Sequence, residues 1–530
     1  MSGERVYLYD TTLRDGAQTQ GVDFSAGDKA AIARELDRLG VDYVEAGWPG
    51  ANPTDDAFFA APPKLSRARL AAFGMTRRAG RSAENDPGLQ AVLGAGCEVA
   101  TLVGKTWDFH VEVALGVTLD ENVRMIAESI AHAAKRNRET LFDAEHFFDG
   151  WRVNKGFALD CLKAAQDAGA RWIVLCDTNG GTLPHEIEAV VGEVIKTVPG
   201  ERLAIHCHND TGNAVANSLA AVRAGARQVQ GSLNGLGERC GNADLITLIP
   251  NLILKMGYAT GISAADLKHL TAASRALDER LNRAPDRAAP YVGESAFAHK
   301  GGMHVSAVAK DPRSYEHIAP ELVGNRRHII VSDQAGRSNV LAQLREVGID
   351  IAAGDPKLAR LVDEVKHREF VGYAYDGAEA SFELLARRAL GTVPEFFKLL
   401  SFRVLDERRW NAKNELITLS EATIKAEIDG ERLMAVAEGN GPVSALDAAL
   451  RKVLTPRYPT LAEMRLVDYK VRILDPQSGT GASTRVIIES ADSTNARWST
   501  VGVSTNVIDA SYNALHDSIT YLLLRNGHAA

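Results

Sequence analysis

LAIHCHNDTGNAVANSLAAVRAGARQVQGSL, residues 203–233, decides the fold. An apolar lead-in runs into two histidines one residue apart. In a β-strand, side chains at i and i+2 share a face, so His206 and His208 stand side by side and Cys207 faces away. NDTGN is strong turn chemistry. An amphipathic helix pattern, AVANSLAAVRAGA, follows, and QVQGSL reads as a second strand. The stretch is thus a strand–helix–strand unit with two imidazoles at the C-terminal end of its first strand. On its own, the pair fits a metal site and two satisfied structural histidines equally well.

The same unit repeats through the first half of the chain. Short β-rich runs at residues 6–10, 43–47, 70–74, 99–103, 140–145, 172–177, 203–208 and 228–233 alternate with amphipathic stretches such as AGDKAAIARELDRLG and LDENVRMIAESIAHAAKRN. Eight such units predict an α/β fold of the (β/α)8 TIM-barrel type over residues 1–261, in preference to a doubly wound sheet. A dinucleotide-binding reading would need a glycine-rich turn after the first strand. That strand runs into DTTLRDG instead.

Residues 262–393 change character. They read as a mostly helical linker subdomain centred on SAFAHKGGMHVSAVAKDPRSYEHIAPELVGNRR and closed by the helix pattern FELLARRALG. Residues 394–530 predict a C-terminal α+β domain. EATIKAEIDGERLMAVAEG is a hairpin turning at Asp429-Gly430, and GPVSALDAALRKVL is a helix. YKVRILD, TRVIIESAD and RWSTVGVS are strands, and NVIDASYNALHDSITYLLLRN is a helix. VSALDAAL (443–450) and IDASYNAL (508–515) echo each other, each after a strand, which suggests a pseudo-repeat.

Composition narrows the class. The chain has 530 residues, ample for more than one domain. A formal net charge of −8 gives no basic surface for nucleic acid or anionic membrane. The 5 cysteines are scattered without a CxxC pair, which argues against a disulfide framework and a thiolate zinc site. MSGERVYLYD has no apolar signal core and no run reaches membrane-spanning length, so a cytoplasmic protein is expected.

Barrel chemistry gathers at strand C-termini. There the sequence places Asp10, Arg14 and Asp15, then Asp143 and Glu145, Asp177 and Thr178, His206 and His208, and Asn234, Glu238, Arg239 and Asn242. One such residue could simply cap the next helix; five strand ends behaving alike point to a site. Two imidazoles and a carboxylate, for which Asp15 is the candidate, make a divalent-metal site that keeps positions open for Lewis-acid chemistry. Arg14 beside it could stabilise an oxyanion.

DTTLRDGAQ, HCHND and NGLGERCGN, in that order, together with AEGNGPVSALDAALR in the tail, resemble the family of 2-isopropylmalate, homocitrate and citramalate synthases. These belong to the DRE-TIM metallolyase superfamily that includes HMG-CoA lyase. LYDTTLRDGAQTQG and EAGWPGANPTD are most similar to the citramalate branch. The resemblance implies a metal-dependent acyltransferase that condenses acetyl-CoA with a 2-oxo acid. Pyruvate, and a role in isoleucine synthesis, are expected for the citramalate branch; 2-oxoisovalerate and leucine synthesis are the alternative. Asp15, His206 and His208 would hold the divalent cation (Mg, Mn, Zn or Co), with Asn242 a further ligand or near neighbour. Arg14 would bind the keto oxygen, Thr178 the substrate carboxylate, and Glu145 would lie near the acetyl methyl. His304 and Tyr315 match the family's deprotonation pair. His110 matches a barrel histidine, although the serine usual beside it is missing here. The C-terminal domain would be regulatory, with isoleucine as inhibitor and a homodimer as the assembly. A non-catalytic amino-acid-binding protein is the reading from another class, and the intact Arg14, Asp15, His206 and His208 argue against it.

Overall fold

The computed structural model describes residues 4–136, 138–329, 337–352, 354–475, 479 and 481–528. The chain forms two compact units. Residues 4–297 and Ile318–Arg326 make the first, and Ala298–His317 with residues 327–528 make the second.

The first unit is the expected barrel. Its parallel strands are β1 (Tyr7–Asp10), β2 (Tyr43–Gly47), β3 (Arg69–Met75), β4 (Val99–Lys105), β5 (Glu139–Glu145), β6 (Trp172–Asp177), β7 (Leu203–Cys207) and β8 (Gln228–Gly231). They pair in chain order and close when β8 lies against β1, with Tyr7 opposite Gln228 and Asp10 opposite Gly231. Strand β7 ends at Cys207, so His208 is the first residue beyond it and bridges to Asn242 instead.

Helices follow the strands with legible signals. In α1 (Ala26–Leu39), Ser25 and Asp28 form a capping box and left-handed Gly40 ends the helix. A side chain at Gly40 would also strike the Gly261 carbonyl at 2.9 Å. The amphipathic α2 (Leu119–Lys135) is capped by Thr118 and buries Met125, Ile126, Ile130 and Ala133 against the strands.

The lower barrel interior is filled by Tyr9, Tyr43, Leu141, Trp172, Val174 and Ala204. The Tyr9 hydroxyl is 2.9 Å from Glu45 and 2.6 Å from Thr101. This layer is a packed floor beneath the polar strand ends. The unit extends past residue 261, because α3 (Leu270–Arg280) buries Leu270 and Leu277 in the same core.

In the second unit, α4 (Gly302–Lys310), α5 (Arg337–Glu346), α6 (Pro356–Phe370) and α7 (Glu379–Leu390) lead to two like modules. In the first, antiparallel β9 (Lys398–Trp410), β10 (Leu416–Ile428) and β11 (Glu431–Gly439) precede α8 (Pro442–Leu454). In the second, β12 (Arg465–Ile473), β13 (Thr484–Ala491) and β14 (Arg497–Ser504) precede α9 (Val507–Arg525). The pseudo-repeat is therefore real at the level of architecture. The β10–β11 hairpin turns at Asp429 and Gly430, both with positive φ, as a two-residue turn whose twist matches its strands requires. Helix α7 joins the second module: the Ser381 hydroxyl donates to Asp517 on α9 at 2.8 Å and accepts from the Val501 amide of β14 at 3.0 Å. Among the described residues, no helix is long and apolar enough to cross a membrane.

Candidate metal centre

Asp15, in the loop after β1, meets the end of β7. Its Oδ2 is 3.2 Å from His206 Nε2 and 3.7 Å from His208 Nε2, and the two imidazole nitrogens are 3.3 Å apart. All three side chains are buried, and one ligand atom from each lies within 4.8 Å of the others. Asn242 donates to Asp15 Oδ2 at 2.9 Å, while its own buried Oδ1 has no protein partner among the described residues. Two converging Nε2 atoms, a carboxylate and an unused carbonyl oxygen form a donor set suited to a divalent cation, and the cluster can chelate one.

The electrostatics match. Burial alone would raise the Asp15 pKa, but the Arg14 guanidinium and His206 outweigh it and hold the carboxyl well below the usual range. Burial pushes His208 down to about 4, helped by neighbouring His206, so its ring is neutral and able to ligate at physiological pH.

Arg14 is fixed on two sides. Its Nε donates to Glu45 of β2 at 2.6 Å, and its guanidinium lies 4.0 Å above the Phe73 ring of β3. Its Nη1 stands 3.7 Å from Asp15 Oδ1. Glu145, at the end of β5, is paired with Lys105 at the end of β4, its direct neighbour in register. Thr178 follows β6, and its hydroxyl accepts from the His146 amide at 2.9 Å. His110 packs against His146 with ring centroids 4.2 Å apart and stacks on Trp107 at 5.0 Å. His304 of α4 and Tyr315 belong to the second unit, where their rings lie 4.2 Å apart and both are exposed.

Other strand-end polar residues have structural work. Asp10 accepts from the Thr12 amide and hydroxyl, and Asp177 accepts from Thr182. Asn234 ties the loop after β8 to Ser274 and Asp278. Arg239 pairs with Asp210 and donates to the Thr178 carbonyl. The glycines of NGLGERCGN serve the loop itself: a side chain at Gly237 would overlap Asn242 Oδ1 at 2.1 Å, so glycine there is what seats Asn242.

Comparison with known proteins fits this geometry. The family described as HMGL-like matches residues 5–276. An (R)-citramalate synthase of Aquifex aeolicus is 50% identical over 525 residues, covering 99% of this chain and 98% of that protein. Those of Geobacter sulfurreducens and Streptomyces coelicolor are 51% and 49% identical, each covering at least 97% of both chains. The chain belongs to the HMGL-like, citramalate synthase family. Like its relatives, it is a metal-dependent acyl-transfer enzyme. Beyond the barrel, a homocitrate synthase post-HMGL domain-like model matches residues 291–370, and a LeuA allosteric (dimerisation) domain model matches 376–523.

Three residues at the strand ends escape a reading by sequence alone. Lys105 ends an apolar strand and resembles a solvated tail. His146 adopts a left-handed conformation at φ 57°, a strained state for a non-glycine residue, beside His110 and Thr178. Gln230 Oε1 lies 2.9 Å from His206 Nδ1 inside the barrel. Only Gln230 has a readable signal, since a polar residue at an inward position of a barrel strand needs a partner.

Proposed function

We propose that the chain condenses acetyl-CoA with pyruvate and water to give (R)-citramalate and CoA, in isoleucine synthesis. The observation that carries the reading is the buried Asp15–His206–His208 cluster with Arg14 beside it, in a chain similar over its whole length to (R)-citramalate synthases.

A divalent ion held by Asp15, His206 and His208, with Asn242 beside it, supplies Lewis acidity at the keto group when bound. The protein does the rest. Arg14, with Nε committed to Glu45, turns its Nη1 end toward Asp15 and donates to the keto oxygen as negative charge develops there. The Thr178 hydroxyl already accepts from the His146 amide, so its own proton is directed to the substrate carboxylate. Glu145, its charge balanced by Lys105, lies near the acetyl methyl. His304, in ring contact with Tyr315, takes the methyl proton, directly or through water. The methyl carbon attacks the keto carbon, the resulting alkoxide takes up a proton, returned from His304 through water, to become a hydroxyl, and water cleaves the thioester to release CoA. His110 shapes the substrate pocket with Trp107 and His146. Isoleucine binding at the C-terminal domain, a homodimer and a cytoplasmic location complete the proposal.

Release of CoA thiol tests it, measured with pyruvate, 2-oxobutyrate, 2-oxoisovalerate and 2-oxoglutarate, with and without isoleucine or leucine. Preference for pyruvate with inhibition by isoleucine supports the reading. Preference for 2-oxoisovalerate keeps the chemistry and moves the enzyme to leucine synthesis.

A further inference from the structure

The two histidines of the cluster are supported differently. His206 Nδ1 lies 2.9 Å from Gln230 Oε1, whereas the buried Nδ1 of His208 has no protein partner among the described residues. Gln230 is fully buried on β8, in direct register with His206 on β7. Its Nε2 points the other way, toward Asp143 Oδ1 of β5 at 3.5 Å. Asp143 is a buried carboxylate to which the proposed reaction gives no part.

We infer that Asp143 and Gln230 form a positioning relay that sets the tautomer of His206 and so builds half of the metal site. An amide side chain has one accepting and one donating end. Asp143 accepts, so it draws the Nε2 end of Gln230 and leaves Oε1 facing His206. That oxygen can only accept, so when a cation takes Nε2 the remaining proton of the imidazole sits on Nδ1. Nε2 is then left with its lone pair, aimed at Asp15 and His208. With the amide reversed, the Gln230 NH2 would face Nδ1, the proton would move to Nε2, and the ligand atom would be blocked. A neutral partner also orients the ring without adding another negative charge beside Asp15.

The inference rests on the metal-site reading, and the test separates the two. Mn2+ binding to the full-length protein is measured by calorimetry for wild type, His206→Ala, Gln230→Met and Gln230→Glu. Gln230→Met keeps the length and burial but removes the acceptor. It is expected to weaken Mn2+ binding by about 10- to 100-fold, the range seen when such outer partners of metal ligands are lost. Gln230→Glu restores an acceptor toward His206 but loses the donor to Asp143, and is expected to recover part of the affinity lost in Gln230→Met. His206→Ala weakening Mn2+ binding while Gln230→Met binds like wild type would overturn the relay and leave the metal site standing. No Mn2+ binding by wild type would overturn both. Should Gln230→Met fail to fold, nitrogen NMR of the wild-type histidines with diamagnetic Mg2+ bound reads the tautomer directly. Protonation of His206 at Nδ1 supports the relay, and protonation at Nε2 overturns it.

Discussion

The metal cluster and the His304–Tyr315 pair are held by opposite means. Asp15, His206 and His208 are at most 5% exposed; Asp15 meets both imidazoles, and His206 also meets Gln230 of the next strand. His304 and Tyr315 are exposed, and Met303 beside them is 81% exposed. What is buried near the pair is a neighbour. Glu316 accepts from Arg327 through both carboxylate oxygens and lies 3.2 Å from His299, which ties residues 299, 316 and 327 together. Binding a cation demands ligands preorganised out of water. Moving a proton demands a group that can change partners, so its backbone can be anchored while the side chain stays open. Under the proposed function, ion affinity falls to the barrel and proton removal to His304 of the second unit, a division that can be broken experimentally.

The largest effect is expected from the cluster. Asp15→Ala removes the carboxylate that joins the two imidazoles, while Arg14 keeps Glu45 as its counter-charge. Mn2+ binding should vanish in calorimetry and CoA release should fall at least about 1,000-fold. His304→Phe should sharpen the contrast. The rate constant for CoA release should drop by about 100- to 10,000-fold, the usual contribution of a positioned acid or base, while Mn2+ affinity stays at the wild-type value. Lost Mn2+ binding in this variant would end the division of labour.

The third test concerns the anchor. Glu316→Ala leaves Arg327 and the buried His299 without their shared acceptor, and should cost about 2 kcal/mol. Urea titration reads the loss as a lower midpoint with an unchanged slope. Since the Glu316 side chain is 2% exposed but Arg327 is 30% exposed, part of the arginine's cost is recovered by water.

The same contrast explains what could be read from the sequence. The barrel was legible because each strand is a short apolar run ending in polar residues, and because Asp15, His206 and His208 stand at turns whose chemistry is local. Strand β9 was not. Its residues are mostly exposed and its end, DERRW, carries charge on successive positions, so alternation is lost and only pairing with β10 makes it a strand. Helix α7 reads as the close of the linker, yet Ser381 and Arg388 bond to Asp517, more than a hundred residues later. Gln230 and Asp143 sit at inward strand positions, but their pairing with each other and with His206 depends on barrel closure. Local chemistry is written locally; partners brought together by closure are not.

The smallest expected effect compares two carboxylates within the barrel unit. Asp37, near the end of α1, is like Asp15 held below the usual carboxylate range, but by backbone rather than by charge. Burial alone would raise it; the amides of Ala68, Ser66 and Arg67, at 2.7–3.0 Å, and the Ser66 hydroxyl outweigh this. The bonds pin the chain entering β3. Asp37→Asn keeps one accepting oxygen for Arg67 and Ala68 but turns an NH2 toward the Ser66 donors, which should cost about 1–2 kcal/mol. The folded pKa lies below the unfolded value of about 3.9, so the wild-type advantage is complete above that pH. It fades as the pH falls through the folded pKa. The stability gap between wild type and Asp37→Asn in urea should therefore be constant from pH 8 to about pH 5 and narrow below about pH 4. A gap that widened on acidification would mean that the carboxylate is protonated in the folded protein, and that Asp37 is not held as the anion.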